Sequence, residues 1–263
     1  MTELRVQVDG VGVWSPQLSN FDALRRLLDG QALEEPATRP TAATLSINER
    51  RRAPESVLIA IEAASQAVAM SRRKAESLAC VFASAYGDQA TTDYMCRVLA
   101  DTPTELSPTR FHNSVHNASA GYWTIATDCR APSTAVCAGH TSFGAALLEA
   151  AAQVCANNRA ILLVCSDTAG MGPLGELIDC HTAFGCALVL SPQSEAAALP
   201  LNLSLVSVTS NDAQLPQSCK DWMRDNPSAA CLPLLAILAR GVGECVLAAS
   251  EGLGLRAQME VTA

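Results

Sequence analysis

Apolar positions along the chain switch between a period of two and a period near 3.6, and the switches mark out its elements. Residues 4–14 (LRVQVDGVGVW) alternate in their first half and carry glycines in their second, which predicts a strand. Asn20 then precedes FDALRRLLDGQ, where Phe21, Leu24, Leu27 and Leu28 follow helical spacing; Asn20 reads as the N-cap and Gly30 as the stop. Residues 31–54 are rich in Pro, Thr, Arg and Glu and predict an irregular surface segment. Residues 55–70 (ESVLIAIEAASQAVAM) are apolar around most of a helical circumference, so the helix they predict is buried on more than one side. SLACVFAS follows as a short buried strand.

Residues 91–99 predict a further short helix, DTPTELSPTR a loop, and SVHNASAGYWTIATDC a helix with small residues on one face. PSTAVCA reads as a strand, SFGAALLEAAAQVCANN as a strong helix and RAILLVCSD as a fully apolar strand. TAFGCALVLSP and LNLSLVSVTS are further strands, ACLPLLAILARG a late helix, and ECVLAAS with LGLRAQMEV a closing hairpin that turns around Glu251 to Gly254. Strands alternating with helices predict an α/β fold: a largely parallel sheet with helices on both faces. No repeat, low-complexity block or flexible linker divides the chain.

Composition narrows the class. The 263 residues can bury about three quarters of the surface the unfolded chain exposes, so a large core is available. Few aromatics and much alanine suit helices packed closely on a sheet. The net charge of −8, with acids scattered, argues against nucleic acid or an anionic membrane surface as partner. The apolar runs are too short to span a bilayer, and MTELRVQVDG has no apolar core of signal-peptide length, which predicts a cytoplasmic protein. Eleven cysteines sit mostly in apolar segments and form no CxxC pair, so they read as small buried hydrophobes.

Four histidines carry most of the candidate chemistry. His112 and His116, in HNSVH, are four residues apart and would share a helical face, but Asn113, Ser114 and Val115 stand where a zinc hydrolase needs its glutamate. With only His140 and His181 besides, and no acid placed as a further ligand, no metal site is expected. GMGPLG lacks the lysine of a phosphate loop, and no cofactor motif is present. GHTSFG lacks the GxSxG spacing of a nucleophile elbow, and its Ser142 falls inside the predicted helix. There remains the stretch APSTAVCAGHTSFG. Cys137 reads as a strand residue facing a packed side, where a thiol is inert unless basic neighbours activate it. The backbone needs freedom first at Gly139, and Thr141 or Ser142 caps the helix, so His140 takes the elbow.

In this register the chain resembles the β-ketoacyl synthase family, members of the thiolase-like fold. The likeness runs over most of the chain: VDGVGVWSPQLSNFDALRRLLDGQ resembles the opening strand, turn and helix, and LSPTRFHNSVHNASAGYWTIATDCRAPSTAV the approach to the nucleophile strand. HTAFGCALVLSP is similar to the strand after the central loop. The family's Thr-Ala-Cys elbow falls on Ala138, Gly139 and His140, so His140 replaces the nucleophilic cysteine. The two catalytic histidine motifs of a ketosynthase's C-terminal half have no counterpart here. The resemblance implies one domain over residues 1–263, with a near-complete N-terminal half (1–192) and a reduced C-terminal remnant (193–263). It also implies a non-catalytic partner subunit of the chain-length-factor type, most like that of aryl polyene clusters. Such a subunit pairs with an active β-ketoacyl synthase whose growing chain is borne by an acyl carrier protein. Tyr94, Met95, Phe111, His112, His116 and Phe143 would line the acyl tunnel. Asn113, Asn117, Ser133, Thr134, Ala135, Val136 and Cys137 would lie at the dimer interface. Two other chemistries stay open: a stand-alone thioester acyltransferase or hydrolase using Cys137, with His112 or His116 as base, and a decarboxylase-type role for His140.

Overall fold

The structure, a computed structural model, describes residues 3–178, 180–194, 199–207 and 214–259. Strand β1 (Glu3–Trp14) leads into helices α1 (Phe21–Leu28), α2 (Ile47–Arg52) and α3 (Glu55–Ser71), then strand β2 (Ala79–Ala83). Helices α4 (Gln89–Asp101), α5 (Pro108–His112) and α6 (Ala118–Ala126) precede β3 (Ser133–Val136), α7 (Ser142–Asn157) and β4 (Ile161–Asp167). The short α8 (Gly172–Gly175) is followed by β5 (Phe184–Pro192), β6 (Pro200–Ser207), α9 (Gln217–Asp225), α10 (Leu232–Arg240), β7 (Gly243–Ser250) and β8 (Leu253–Met259). The ends of two predicted strands, residues 208–210 and 260–261, lie outside the described residues.

The eight strands among the described residues join one sheet in the order β3-β2-β4-β5-β1-β6-β8-β7. Only β2 runs parallel to its neighbours, β3 and β4; every other pairing is antiparallel. The expectation of a largely parallel sheet is therefore corrected. Strands alternate with helices along much of the chain, but between β4 and β5 only the four-residue α8 intervenes, too short for a crossover, and the two strands pair antiparallel. The helices do cover both faces. Helices α1, α7, α9 and α10 pack with one set of strand positions, and α3 and α6 with the alternate set. In β4 this divides Ile161, Leu163 and Cys165 from Leu162 and Val164, the period of two expected of a strand buried on both sides.

Strand β1 explains its own mixed pattern. A register shift between Val8 and Gly10, where Asp9 is the extra residue, reverses the parity, so that Val6, Val8, Val11 and Val13 all face the same core. The reversal turns Gly12 toward α3, where a Cβ would collide with the Ala63 carbonyl, so only glycine admits the helix this close. Helix α3 is buried along most of its length, as its sequence predicts.

Other local expectations need adjusting. Asn20 does cap α1, its side chain accepting from Ala23 N–H. Within the segment read as irregular, Ser46 and Glu49 form a capping box that starts α2. The helix expected over residues 114–129 is shorter, α6 alone, and a separate helix, α5, begins inside the expected loop. Helix α9 was not anticipated. Strands β3 and β7 are the sheet's opposite edges, so the closing hairpin does not cover β3. No helix among the described residues is long and apolar enough to cross a membrane.

Candidate functional site

The site forms where the loop after β2 meets the turn after β3. Beyond Val136 the chain passes through Ala138 (φ −142°, ψ 33°) into Gly139 at φ +55°, a left-handed conformation that favours glycine. A tight 3-10 turn, Gly139–Thr141, then feeds α7. Thr141 holds the N-cap position without a side-chain cap; its hydroxyl turns back to donate to Ala138 O (2.8 Å). Ser142, the first helical residue, clamps the turn: its Oγ accepts from Ala138 N–H (3.0 Å) and donates to Gly139 O (2.7 Å). His140 stands exposed at the tip.

His140 Nε2 is hydrogen-bonded to the Tyr86 hydroxyl at 3.0 Å, and the two rings meet edge to face with centroids 5.9 Å apart. Cys137 is not a buried strand residue. Strand β3 ends one residue earlier, and as an edge strand it leaves Cys137 exposed. The Cys137 thiol donates to Ala85 O (3.3 Å), so its proton is directed at a carbonyl and not at an imidazole base. His116 Nε2 lies 3.0 Å from Ser84 O. A carbonyl can only accept, so that nitrogen carries a proton. Ser84, Ala85 and Tyr86 thus hold His116, Cys137 and His140 in turn.

Beneath this loop lies a carboxylate that the sequence reading missed. Asp167 ends β4 at 1% exposure and accepts from four donors. Ser84 Oγ (2.7 Å), Ala85 N–H (2.9 Å) and Tyr86 N–H (3.2 Å) reach Oδ1, and Ser228 Oγ (2.6 Å) reaches Oδ2. Asn226 extends the network, donating to Asp167 O (3.0 Å) and Thr182 O (2.7 Å) while its own Oδ1 accepts from Ser228 N–H (2.8 Å). Burial pushes the Asp167 carboxyl above the ordinary aspartate value, and these donors act against that rise. The available signal was an acid closing an otherwise apolar strand, RAILLVCSD.

The remaining predicted residues fall in different places. Helix α5 ends at His112 and His116 lies in the following turn, so the two histidines do not form a pair on one helical face. His112 instead lines a surface groove of about 540 Å³ with Glu49, Arg52, Val115, Asn117, Tyr122 and Ile125. Tyr94 and Met95 are half-buried on α4. Tyr94 is tied to the start of α5, its hydroxyl accepting from Ser107 N–H (3.2 Å) and its ring lying 4.2 Å from the Arg110 guanidinium carbon. Phe111 is exposed. Phe143, expected on a tunnel wall, is 1% exposed and packed in the core, because the first turn of α7 points it at the sheet. Asn113, expected at an interface, is buried and accepts from Tyr122 Oη (3.2 Å). Ser133 and Ala135 are exposed along the β3 edge, with Thr134 and Val136 half-buried.

The mixed sheet layered between helices, with a glycine turn lifting one side chain at the end of β3, defines a thiolase-like fold. Residues 28–250 match the model of the beta-ketoacyl synthase N-terminal domain, and the chain belongs to that family. Among solved structures it is similar to a chain of the ketosynthase ApeO in complex with its chain length factor ApeC, from Xenorhabdus doucetiae (22% identity, TM-score 0.69, 97% of this chain and 99% of that one). It is similar also to a chain of the ishigamide ketosynthase/chain length factor (15% identity, TM-score 0.69, 99% and 100%). A third is from AntDE:AntF, a type II polyketide acyl-carrier protein in complex with its hexaketide-bound ketosynthase (14% identity, TM-score 0.71, 98% and 100%). No curated protein sequence matches the chain.

Proposed function

We propose that this chain is a chain-length-factor-type subunit, a single ketosynthase-like domain that pairs with an active β-ketoacyl synthase in the cytoplasm. It shapes that partner's acyl tunnel in polyketide or fatty-acid-like biosynthesis of the aryl polyene kind. The observation that carries the reading is His140 at the tip of the elbow, where the family's register puts a nucleophilic cysteine. Condensation needs a thiolate to carry the acyl chain, and an imidazole tied to Tyr86 is no such carrier. The thiol of Cys137, three residues before His140 in sequence, faces a carbonyl.

Surface features support a partner. Among the described residues strand β3 has one neighbour, β2, and so presents an open edge. Beside it, Val115 and Ile125 are 50% and 72% exposed in a groove large enough to seat side chains from another subunit. We assign Asn117, Ser133, Thr134, Ala135, Val136 and Cys137 to that contact. Tyr94, Met95, Phe111, His112 and His116 are assigned to the side facing the acyl chain. An acyl carrier protein with an acidic face would suit the arginines around a shallow hollow of about 250 Å³, Arg39, Arg50 and Arg51. There Arg39 donates to Arg50 O (2.8 Å) and Arg50 to Thr41 O (3.2 Å), which fixes both guanidinium groups in place.

Co-expression with an active ketosynthase, followed by size-exclusion chromatography and intact mass measurement after incubation with acyl-carrier thioesters, tests the proposal. The expected result is co-elution, with the acyl adduct confined to the partner. An adduct on Cys137, or a well-behaved monomer indifferent to the ketosynthase, overturns it.

A further inference from the structure

The polar network under the elbow has no part in the proposal above, yet it connects every group exposed there. Three of the four hydrogen bonds to Asp167 come from consecutive residues of one loop: the Ser84 hydroxyl and the Ala85 and Tyr86 amides. The fourth comes from Ser228, which Asn226 fixes in turn. An ionised carboxylate accepts and cannot donate; here three donors crowd Oδ1 and one meets Oδ2. Donors converging on one buried oxygen from successive residues fix a loop's path far more narrowly than packing alone. Gly87, at φ +67°, ends the loop, and its N–H donates to Ser84 Oγ (2.8 Å), so the hydroxyl that reaches Asp167 also closes the turn.

We propose that Asp167 is a positioning residue that, through this loop, fixes Tyr86 against His140 and the Ser84 carbonyl against His116, the side chain assigned above to the side facing the acyl chain. The inference rests on the partner-subunit reading for its consequence, but not for its geometry. Tyr86 reaches His140 from a backbone whose amide is held by Asp167 Oδ1. Ser84, held by the same oxygen, offers its carbonyl to His116. One carboxylate therefore sets two imidazoles, neither of which it touches.

The test uses the complex with an active ketosynthase, labelled with ¹⁵N-histidine, and compares Asp167→Leu with Tyr86→Phe. Leucine has about the shape of Asp167 but offers no acceptor to the Ser84, Ala85 and Tyr86 donors. The His140 signal is the one lost in His140→Ala. The expected result is that both variants displace the His140 Nε2 signal in the same direction and shift the product-length distribution the same way. A residue with a merely structural role would lower stability and leave the signal in place. An Asp167→Leu complex with wild-type His140 signal and product profile overturns the inference. If that variant fails to assemble, Ser84→Ala, which removes one donor of the four, must give a smaller displacement of the same sign; an unmoved signal there also overturns it. Failure of the wild-type chain to bind a ketosynthase would instead sink the partner-subunit reading, and the histidine spectra of the isolated chain would still decide the role of Asp167.

Discussion

Helices α3 and α6 lie on the same face of the sheet, and neither carries a charged residue after its first turn except Glu62 in α3. Their fates differ. Helix α3 crosses the middle of the sheet, against β1, β5 and β4, and all of Ser56–Ala67 but Glu62, Ser65 and Gln66 is buried. Helix α6 lies over the rim formed by β2 and β3; only Ala120 and Trp123 are buried, while Ile125 is 72% exposed. An apolar helix at the centre of a sheet finds its cover within its own chain. One at the rim finds half of it, and the open half lies beside an open strand edge. The contrast separates the part of the molecule that is complete from the part we propose a partner completes.

The largest expected effect concerns the complete part. Ile61→Ala empties a fully buried position of α3 and is expected to cost about 2–5 kcal/mol in urea unfolding. Ile125→Ala should stay within about 0.5 kcal/mol of wild type in the isolated chain. Equal losses at the two positions would erase the distinction between the helices.

A proline on the β3 edge should break the open part instead. Cys80 N–H donates to Pro132 O and Ser84 N–H to Val136 O, so the even-numbered residues of β3 face β2 and the amide of Ala135 points away from it. Ala135→Pro therefore spares the ladder to β2 and removes an outward donor. The expected outcome is a folded chain, by circular dichroism, that no longer co-elutes with its ketosynthase. Unaltered co-elution would show that the partner does not use this edge.

A smaller effect is expected from Ile125→Asp, which places a charge on the exposed face of α6. Association should weaken by about 1–2 kcal/mol, read by titration of the ketosynthase, with little change in the stability of the chain alone. An affinity equal to wild type would put α6 outside the interface.

The smallest effect lies at Asp167, on the seam between the two parts. Its carboxyl is raised, so the folded chain binds this proton more tightly than the unfolded chain does. Between the ordinary aspartate value and the raised one, the native state holds more protons, and stability falls as pH rises through that window. Below it both states are protonated and above it both are ionised, so the slope vanishes on either side. Urea midpoints against pH should show this fall in the wild type and lose it in Asp167→Asn; a difference curve that rises across the window would contradict the assignment.

Much of this was legible along the chain. Asn20 as a cap, α3 as a helix buried on several sides, the apolar strand β4 and the glycine at the elbow all rest on contacts within a few residues, and each stands as expected. The elbow register was legible for the same reason: Gly139 needs φ > 0 whatever lies around it. Other features depend on residues far apart in sequence. Phe143 and His140 are three positions apart in one turn, and nothing local says that one goes into the core and the other to the surface. Ser84, Asp167 and Ser228 look like scattered polar residues until β2, β4 and the turn before α10 are brought together.

What the amino-acid sequence by itself determined was therefore the set of elements, their amphipathic faces and the one turn that lifts His140. Hydrophobic period, capping and the freedom of glycine act over a few bonds and need no partner. Only the tertiary structure decided which strands became neighbours, that most of them run antiparallel, that the extra residue in β1 reverses its faces, and that β3 ends up on an open edge. Those outcomes depend on how the chain returns to the sheet after each helix or loop. Residues well over a hundred positions apart then share a hydrogen bond or a core, and no short stretch of sequence records that pairing.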